Sequence, residues 1–180
     1  MGTREAILAL RLILEKRIRK DKSTFIVFVD IEKAFDKVNW EITFEIMKRA
    51  EIATTERKLL YQLYKNKITI IKIDDIQKES KIKKGVRQGC TLSPLIFNAY
   101  IQEAIDTIRE RIKLGIKVNS YRIDILKSAD DISIIAENEN DLKKILETME
   151  QVMEKDLHMK INTKKTRAPF GGSRMCTRTP

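Results

Sequence analysis

The sequence predicts an α+β fold, a mainly antiparallel sheet with helices packed on one face. Three observations carry this prediction. Apolar positions switch repeatedly between helical spacing and short strand-like runs, so helices and strands interleave. The interleaving lacks the strict alternation that builds parallel sheets. An acidic pair, Asp130-Asp131, stands between two short apolar runs, as in a tight hairpin. The other face of such a sheet is free to meet a ligand.

Ile7, Leu10, Leu14 and Ile18 recur at helical spacing, and Lys16, Arg17, Arg19 and Lys20 fill the last turn, where cations suit the helix dipole. A turn at Asp21-Lys22-Ser23 leads into a buried strand, Thr24 to Val29. Helical patterns run from about Trp40 to Ala50 and from Thr54 to Lys65. Lys67 to Ile73 alternates as a strand, and Asp74-Asp75 turns it into a polar, exposed strand from Ile76 to Lys83. Gly85-Val86-Arg87-Gln88-Gly89 breaks the pattern before a helix from about Ser93 to Ile112, whose first turn tolerates Pro94. Gly115 marks its end. Tyr121 to Leu126 and Ile132 to Ala136 read as two strands joined through Ala129-Asp130-Asp131. Asn138, with Asp141 three residues on, caps a helix from about Glu139 to Lys155. Short strands follow around Met159 to Ile161 and Thr166 to Phe170, and the small, basic segment from Gly171 reads as a frayed tail.

The 180 residues suit one domain, long enough to bury roughly 70% of its unfolded surface. A net charge of +10 points to a polyanionic partner, nucleic acid or an acidic surface. Cys90 and Cys176 form no disulfide framework or zinc pattern, and His158 is the single histidine, which disfavours a Cys/His nucleophile pair. There is no apolar run of transmembrane length, Arg4 and Glu5 spoil a signal peptide, and Ala6 stands where myristoylation wants Ser or Thr. The expectation is an intracellular, reduced protein without a membrane partner.

Asp30 closes the apolar run Phe25-Ile26-Val27-Phe28-Val29, and Asp130-Asp131 lie between Ile125-Leu126 and Ile132-Ser133-Ile134-Ile135. Carboxylates in such frames are costly to desolvate unless a cation meets them. Two of them about 4 Å apart repel by about 4 kcal/mol at an effective dielectric near 20. Mg²⁺, held by one or two carboxylates plus substrate phosphates, answers both costs and points to phosphoryl transfer. The plainer alternatives are a strand-terminal carboxylate capping a turn for Asp30 and an ordinary hairpin turn for Asp130-Asp131. Glu32 and Asp36 suit a helix cap or surface pairs.

Four segments in order carry a resemblance. Phe28-Val29-Asp30-Ile31-Glu32-Lys33-Ala34-Phe35-Asp36-Lys37-Val38 resembles the first catalytic motif of reverse transcriptases, particularly those of non-LTR retrotransposons. The stretch from Gly85 to Asn98, Gly-Val-Arg-Gln-Gly-Cys-Thr-Leu-Ser-Pro-Leu-Ile-Phe-Asn, is similar to the second. Ala129-Asp130-Asp131 matches the core of the third, and Lys160-Ile161-Asn162-Thr163-Lys164-Lys165-Thr166 resembles the fourth. The resemblance implies a polymerase palm over residues 1–170, with 171–180 outside it.

It also implies roles. Asp30 and Asp130 would bind two catalytic Mg²⁺ ions, with Asp131 a lesser ligand and Mn²⁺ a substitute metal. Phe35 would pack under the incoming sugar and exclude a 2′-hydroxyl, or else serve the core. Gln88 and Gly89 would border nucleotide and template, and Arg87 would contact phosphate or remain a solvated loop residue. Lys165, or its neighbour Lys164, would protonate pyrophosphate. The partners implied are an RNA template, a DNA primer and deoxynucleoside triphosphates, with action in nucleus or cytoplasm. Three departures stand out: Ser128 replaces the aromatic that precedes Ala129 in the family, and fingers and thumb are nearly absent from the sequence. Weak activity of this chain alone is therefore expected. A non-catalytic nucleic-acid-binding remnant is the alternative. An RNA-dependent RNA polymerase or group II intron protein would share the palm chemistry, but Phe35 and the Gly85–Asn98 stretch favour the retroelement.

Overall fold

A computed structural model describes residues 3–65, 68–73, 76–82, 84–87, 89–128 and 130–167. The elements in chain order are α1 (Thr3–Ile18), β1 (Phe25–Val29), α2 (Ala34–Lys37), α3 (Trp40–Arg49), α4 (Thr54–Lys65), β2 (Ile68–Ile73), β3 (Ile76–Lys81), α5 (Ser93–Arg111), β4 (Ile116–Val118), β5 (Tyr121–Ile123), β6 (Ile125–Ser128), β7 (Asp131–Ala136) and α6 (Glu139–Lys155). Every paired strand is antiparallel, as expected. No helix among the described residues is long and apolar enough to cross a membrane. The chain divides into two compact units, Met1–Glu32 with Ala104–Pro180, and Lys33–Glu103.

The first unit is built on a three-stranded sheet in the order β1-β7-β6. Phe25 pairs with Ala136 and Val29 with Ile132, while Ile125 pairs with Ile134 and Ser128 with Asp131. Alternate side chains point to opposite faces. On one face Val27, Val29, Ile125, Ile132 and Ile134 are all buried. α6 packs against β7 and β1 and buries Leu142, Ile145, Met149, Val152 and Met153, an apolar stripe at helical spacing. Its N-terminus is capped as expected: Asn138 Oδ1 accepts from the Asp141 N–H at 2.8 Å.

The other face is not wholly open. Ile26 and Ile135 form a core cluster with Ile13 of α1 and Ile116, flanked by Leu10 and Leu14. α1 thus covers one end of this face, and Phe28, one step along β1, is 42% exposed. The buried stripe of α1 runs through its second half, whereas Ile7 and Ile18 are exposed. Of the expected stripe from Ile7 to Ile18, the middle packs on the sheet and the two ends stay exposed. Arg17 is buried and anchored: it donates to Glu137 Oε1 at 2.9 Å, the Ser23 carbonyl at 2.6 Å and Thr24 Oγ1 at 3.1 Å.

One expected strand, Tyr121 to Leu126, is two. Tyr121–Ile123 pairs with Ile116–Val118, and Asp124 separates it from β6. Asp124 accepts from its neighbour Ile125 N–H at 2.6 Å and from both Nε and Nη2 of Arg109, which turns the chain out of the ladder. Asn119 supplies the left-handed turn of this hairpin (φ 56). Gly115 is obligatory: its φ is +121, and a Cβ would sit 2.6 Å from the Ile123 carbonyl oxygen.

The second unit contains α2, α3, α4, the β2–β3 hairpin and the start of α5. Asn39 caps α3, accepting from the Glu41 N–H at 2.8 Å. Rings pair throughout this unit: Trp40 lies near Tyr64, Phe44 near the exposed Tyr61, and Phe35 stacks on the fully buried Phe97 at 4.7 Å. Trp40 Nε1 donates to the Gly85 carbonyl at 2.8 Å, while the Gly85 and Val86 N–H groups donate to Val38 and Phe35. Tyr100 is completely buried, and burial pushes its hydroxyl up to about 12 against the opposing hydrogen bond from Asn39. The described side chains of β2 and β3 are exposed, in line with the polar strand expected from Ile76 onward.

Candidate active site

Asp30 immediately follows β1 and Asp131 opens β7. Val29 pairs with Ile132, so Asp30 and Asp131 occupy the next facing positions along the antiparallel ladder. Facing residues in such a ladder have Cα atoms about 4.5–5.5 Å apart and share a face. Both line one cavity of about 540 Å³, with Phe28, Leu126 and Ser128 from the sheet and Ile7 and Leu10 from α1. The cavity is the uncovered end of the face on which α1 packs.

Asp130 occupies the exposed turn of the β6–β7 hairpin. Ala129 lies outside the described residues. Ser128 faces Asp131 across the hairpin and is 5% exposed, so the position that carries an aromatic in the resembled family holds a small buried side chain. On the next residue back, burial lowers the Lys127 ammonium pKa, partly offset by the charge of Asp106. Among the described residues, no three His, Cys, Asp or Glu side chains gather closely enough to hold a metal by themselves.

The segment after α6 completes the site. Ile161 bridges Ile31, and Arg167 bridges Phe28. The chain advances three positions from Phe28 to Ile31 but six from Ile161 to Arg167, so three extra residues loop out at the sheet edge. Asn162 organises this loop: its Oδ1 accepts from the Lys164 and Lys165 N–H groups at 3.2 and 3.3 Å. Its own N–H donates to the Asp30 carbonyl at 2.8 Å, and its side-chain amide donates to Asp30 Oδ2 at 3.0 Å. The loop carries Lys165 to the carboxylate, with Nζ 4.0 Å from Asp30 Oδ2. Side chains 71% and 42% exposed make this a solvated pair, contributing about 1 kcal/mol at most. Lys164 lies in the same loop and is exposed.

The remaining candidates belong to the second unit. Phe35 lies in α2, half-buried and stacked on Phe97. Arg87 is exposed, and its carbonyl accepts from the Cys90 N–H at 3.3 Å. Gly89 adopts φ +82 with open space around the missing Cβ, so backbone conformation rather than crowding calls for glycine. Gln88 lies outside the described residues. Glu32 and Asp36 are exposed. Sequence reasoning assigned no role to Asn162 or to the α1 residues Ile7 and Leu10. An Asn followed by polar turn residues was the available signal for the first.

Comparison with known proteins places the chain in a family. The family model for reverse transcriptase (RNA-dependent DNA polymerase) matches residues 4–170. The chain is 27% identical over 150 residues to a retrovirus-related Pol polyprotein from the type-1 retrotransposable element R2 of Nasonia vitripennis, covering 83% of this chain and 14% of that protein. An R2 Pol polyprotein of Popillia japonica is 26% identical over 140 residues, covering 77% of this chain and 20% of its own length. The chain therefore spans a minor part of the relatives it matches. Among solved structures, apo telomerase from Candida tropicalis truncated from its C-terminal domain superposes with a TM-score of 0.71 at 16% identity, over 98% of this chain and 36% of that one. Telomerase of the same organism in complex with a TWJ fragment of telomeric RNA gives the same TM-score over 95% of this chain and 30% of that one. This likeness bears on the fold, which is α+β and palm-like. Reverse transcriptases generally use divalent metal ions. With a match that runs from residue 4 to residue 170, the chain belongs to the reverse transcriptase (RNA-dependent DNA polymerase) family, as a domain of the kind found in non-LTR retrotransposons.

Proposed function

We propose that residues 1–170 act as the catalytic palm of an RNA-directed DNA polymerase, extending a DNA primer on an RNA template with deoxynucleoside triphosphates. The observation that carries this reading is the facing pair Asp30 and Asp131 on one open cavity, with Lys165 beside Asp30. Hard carboxylate oxygens lining one cavity suit Mg²⁺, with Mn²⁺ as a substitute. Two carboxylates without a third close ligand fit an ion that completes its shell with water and substrate phosphate. When bound, two such ions supply activation of the primer 3′-hydroxyl and neutralisation of the triphosphate and departing pyrophosphate.

The chain's own residues do the rest. Asp30, Asp131 and, from the turn, Asp130 offer the oxygen ligands. Lys165 holds a proton at Nζ near the reacting groups, positioned to meet the charge that develops on pyrophosphate. The net charge of +10 draws nucleic acid in, with a strong dependence on salt. The family resemblance further assigns Phe35 to choosing deoxyribose and Arg87, Gln88 and Gly89 to the nucleotide.

A second reading, a nucleic-acid-binding remnant without catalysis, is favoured by Ser128 in the family's aromatic position. Primer extension on an RNA template with Mg²⁺ separates the two. Extension that disappears in Asp30→Asn and Asp130→Asn supports the polymerase. Salt-sensitive binding with no extension by the wild type supports the remnant.

A further inference from the structure

We propose that Asn162 is a positioning residue for Asp30, fixing its carboxylate in the orientation that takes a metal ion; this deepens the polymerase reading and rests on it. Asn162 touches Asp30 twice, through the backbone at 2.8 Å and through the side-chain amide at 3.0 Å. The same side chain builds the loop, because Oδ1 accepts from Lys164 and Lys165 while Nδ2 turns to Asp30. One planar amide therefore couples the conformation of the loop that bears Lys165 to the orientation of the carboxylate it faces. Asparagine does both through one short amide: aspartate lacks the donor, and serine can accept in the turn but has a shorter reach toward Asp30. Asn162 stands one step past the Ile31–Ile161 bridge, the position opposite Asp30, and the extra residues that follow it before Arg167 form the turn that its Oδ1 caps.

A carboxylate half exposed at a strand end has several rotamers, and a hydrogen bond to one oxygen selects among them. Hydrogen bonds that orient metal-binding carboxylates are worth roughly tenfold or more in metal affinity. The test uses the whole 180-residue chain and Mn²⁺ as the probe, with affinity read by electron paramagnetic resonance and the thermal midpoint measured in parallel. Asn162→Ser should retain the turn and the wild-type midpoint yet bind Mn²⁺ about tenfold more weakly. Asn162→Ala should lose both affinity and thermal stability. Binding that is lost in Asp30→Asn but unchanged in Asn162→Ser overturns the positioning role and leaves the polymerase reading standing. No Mn²⁺ binding by the wild type, with Asp30→Asn indistinguishable from it, removes the polymerase reading and this role together. A check without substitution is also at hand. The Asn162 side-chain amide resonances should move as Mg²⁺ saturates the protein, and resonances that stay fixed through saturation overturn the proposal.

Discussion

Asp30 faces Asp131 one step beyond the Val29–Ile132 pair, where the β1–β7 ladder opens onto a cavity. Like charges directly opposite one another across strands destabilise a sheet. The ammonium of Lys165 relieves this on one side only, at 4.0 Å from Asp30. Under the polymerase proposal a cation between the two carboxylates would offset their like charges, and without one those charges oppose folding.

Asp131→Asn in metal-free buffer should therefore melt slightly higher than the wild type, by about 1–3 °C for up to about 1 kcal/mol in a domain of this size. The same variant should lose primer extension by at least about a hundredfold while keeping its affinity for nucleic acid. Differential scanning calorimetry and a filter-binding assay check the two halves. A lower melting temperature together with a collapse of binding would mean that Asp131 is a structural residue.

Ser128 lies beside this pair with a small side chain on a face that has room for more. Ser128→Phe should fill part of the 540 Å³ cavity and raise primer extension, measured as nucleotides added per bound primer. An unchanged or slower rate would show that the missing ring is not what limits this palm.

Phe35 is stacked on Phe97, so its ring packs in addition to the proposed role at the sugar. Phe35→Val should cost about 1–2 kcal/mol in a denaturant titration, through lost area and ring contact. It should also narrow the preference for deoxynucleotides over ribonucleotides in single-nucleotide extension. Equal selectivity with lowered stability would leave Phe35 a packing residue.

The Arg17–Glu137 contact predicts a pH dependence. Burial raises the Glu137 carboxyl, but the hydrogen bond and charge of Arg17, helped by the Lys117 N–H and Lys22, outweigh it and hold the group below its ordinary value. A depressed carboxyl contributes stability above its unfolded pKa, near 4.3, and loses it as pH falls through the lower folded value. Glu137→Gln should flatten the acid limb of the melting-temperature profile below about pH 4.3. An acid limb identical to that of the wild type would show that this pair does not govern it.

The secondary structure around the site was legible because local signals agreed with the fold. Alternation and apolar runs gave β1 and β7, and Asn138 announced the start of α6. The split at Asp124 was hidden, since it depends on Arg109 reaching across from α5. Which acidic residue faces Asp30 was equally hidden, because side chains change face with every residue and only the register decides between Asp130 and Asp131. The Asn162 loop is a product of register too: its extra residues become visible only once Ile31 and Phe28 have found their partners.

The central claim is that Asp30 and Asp131 hold one divalent cation site in common. A double-mutant cycle in Mn²⁺ affinity tests it most directly, using the wild type, Asp30→Asn, Asp131→Asn and the double variant. Shared ligation predicts that each single variant weakens binding severely and that the double variant is scarcely weaker than either, a strong coupling between neighbours. Losses that simply add, or a single variant that binds as the wild type does, would contradict it.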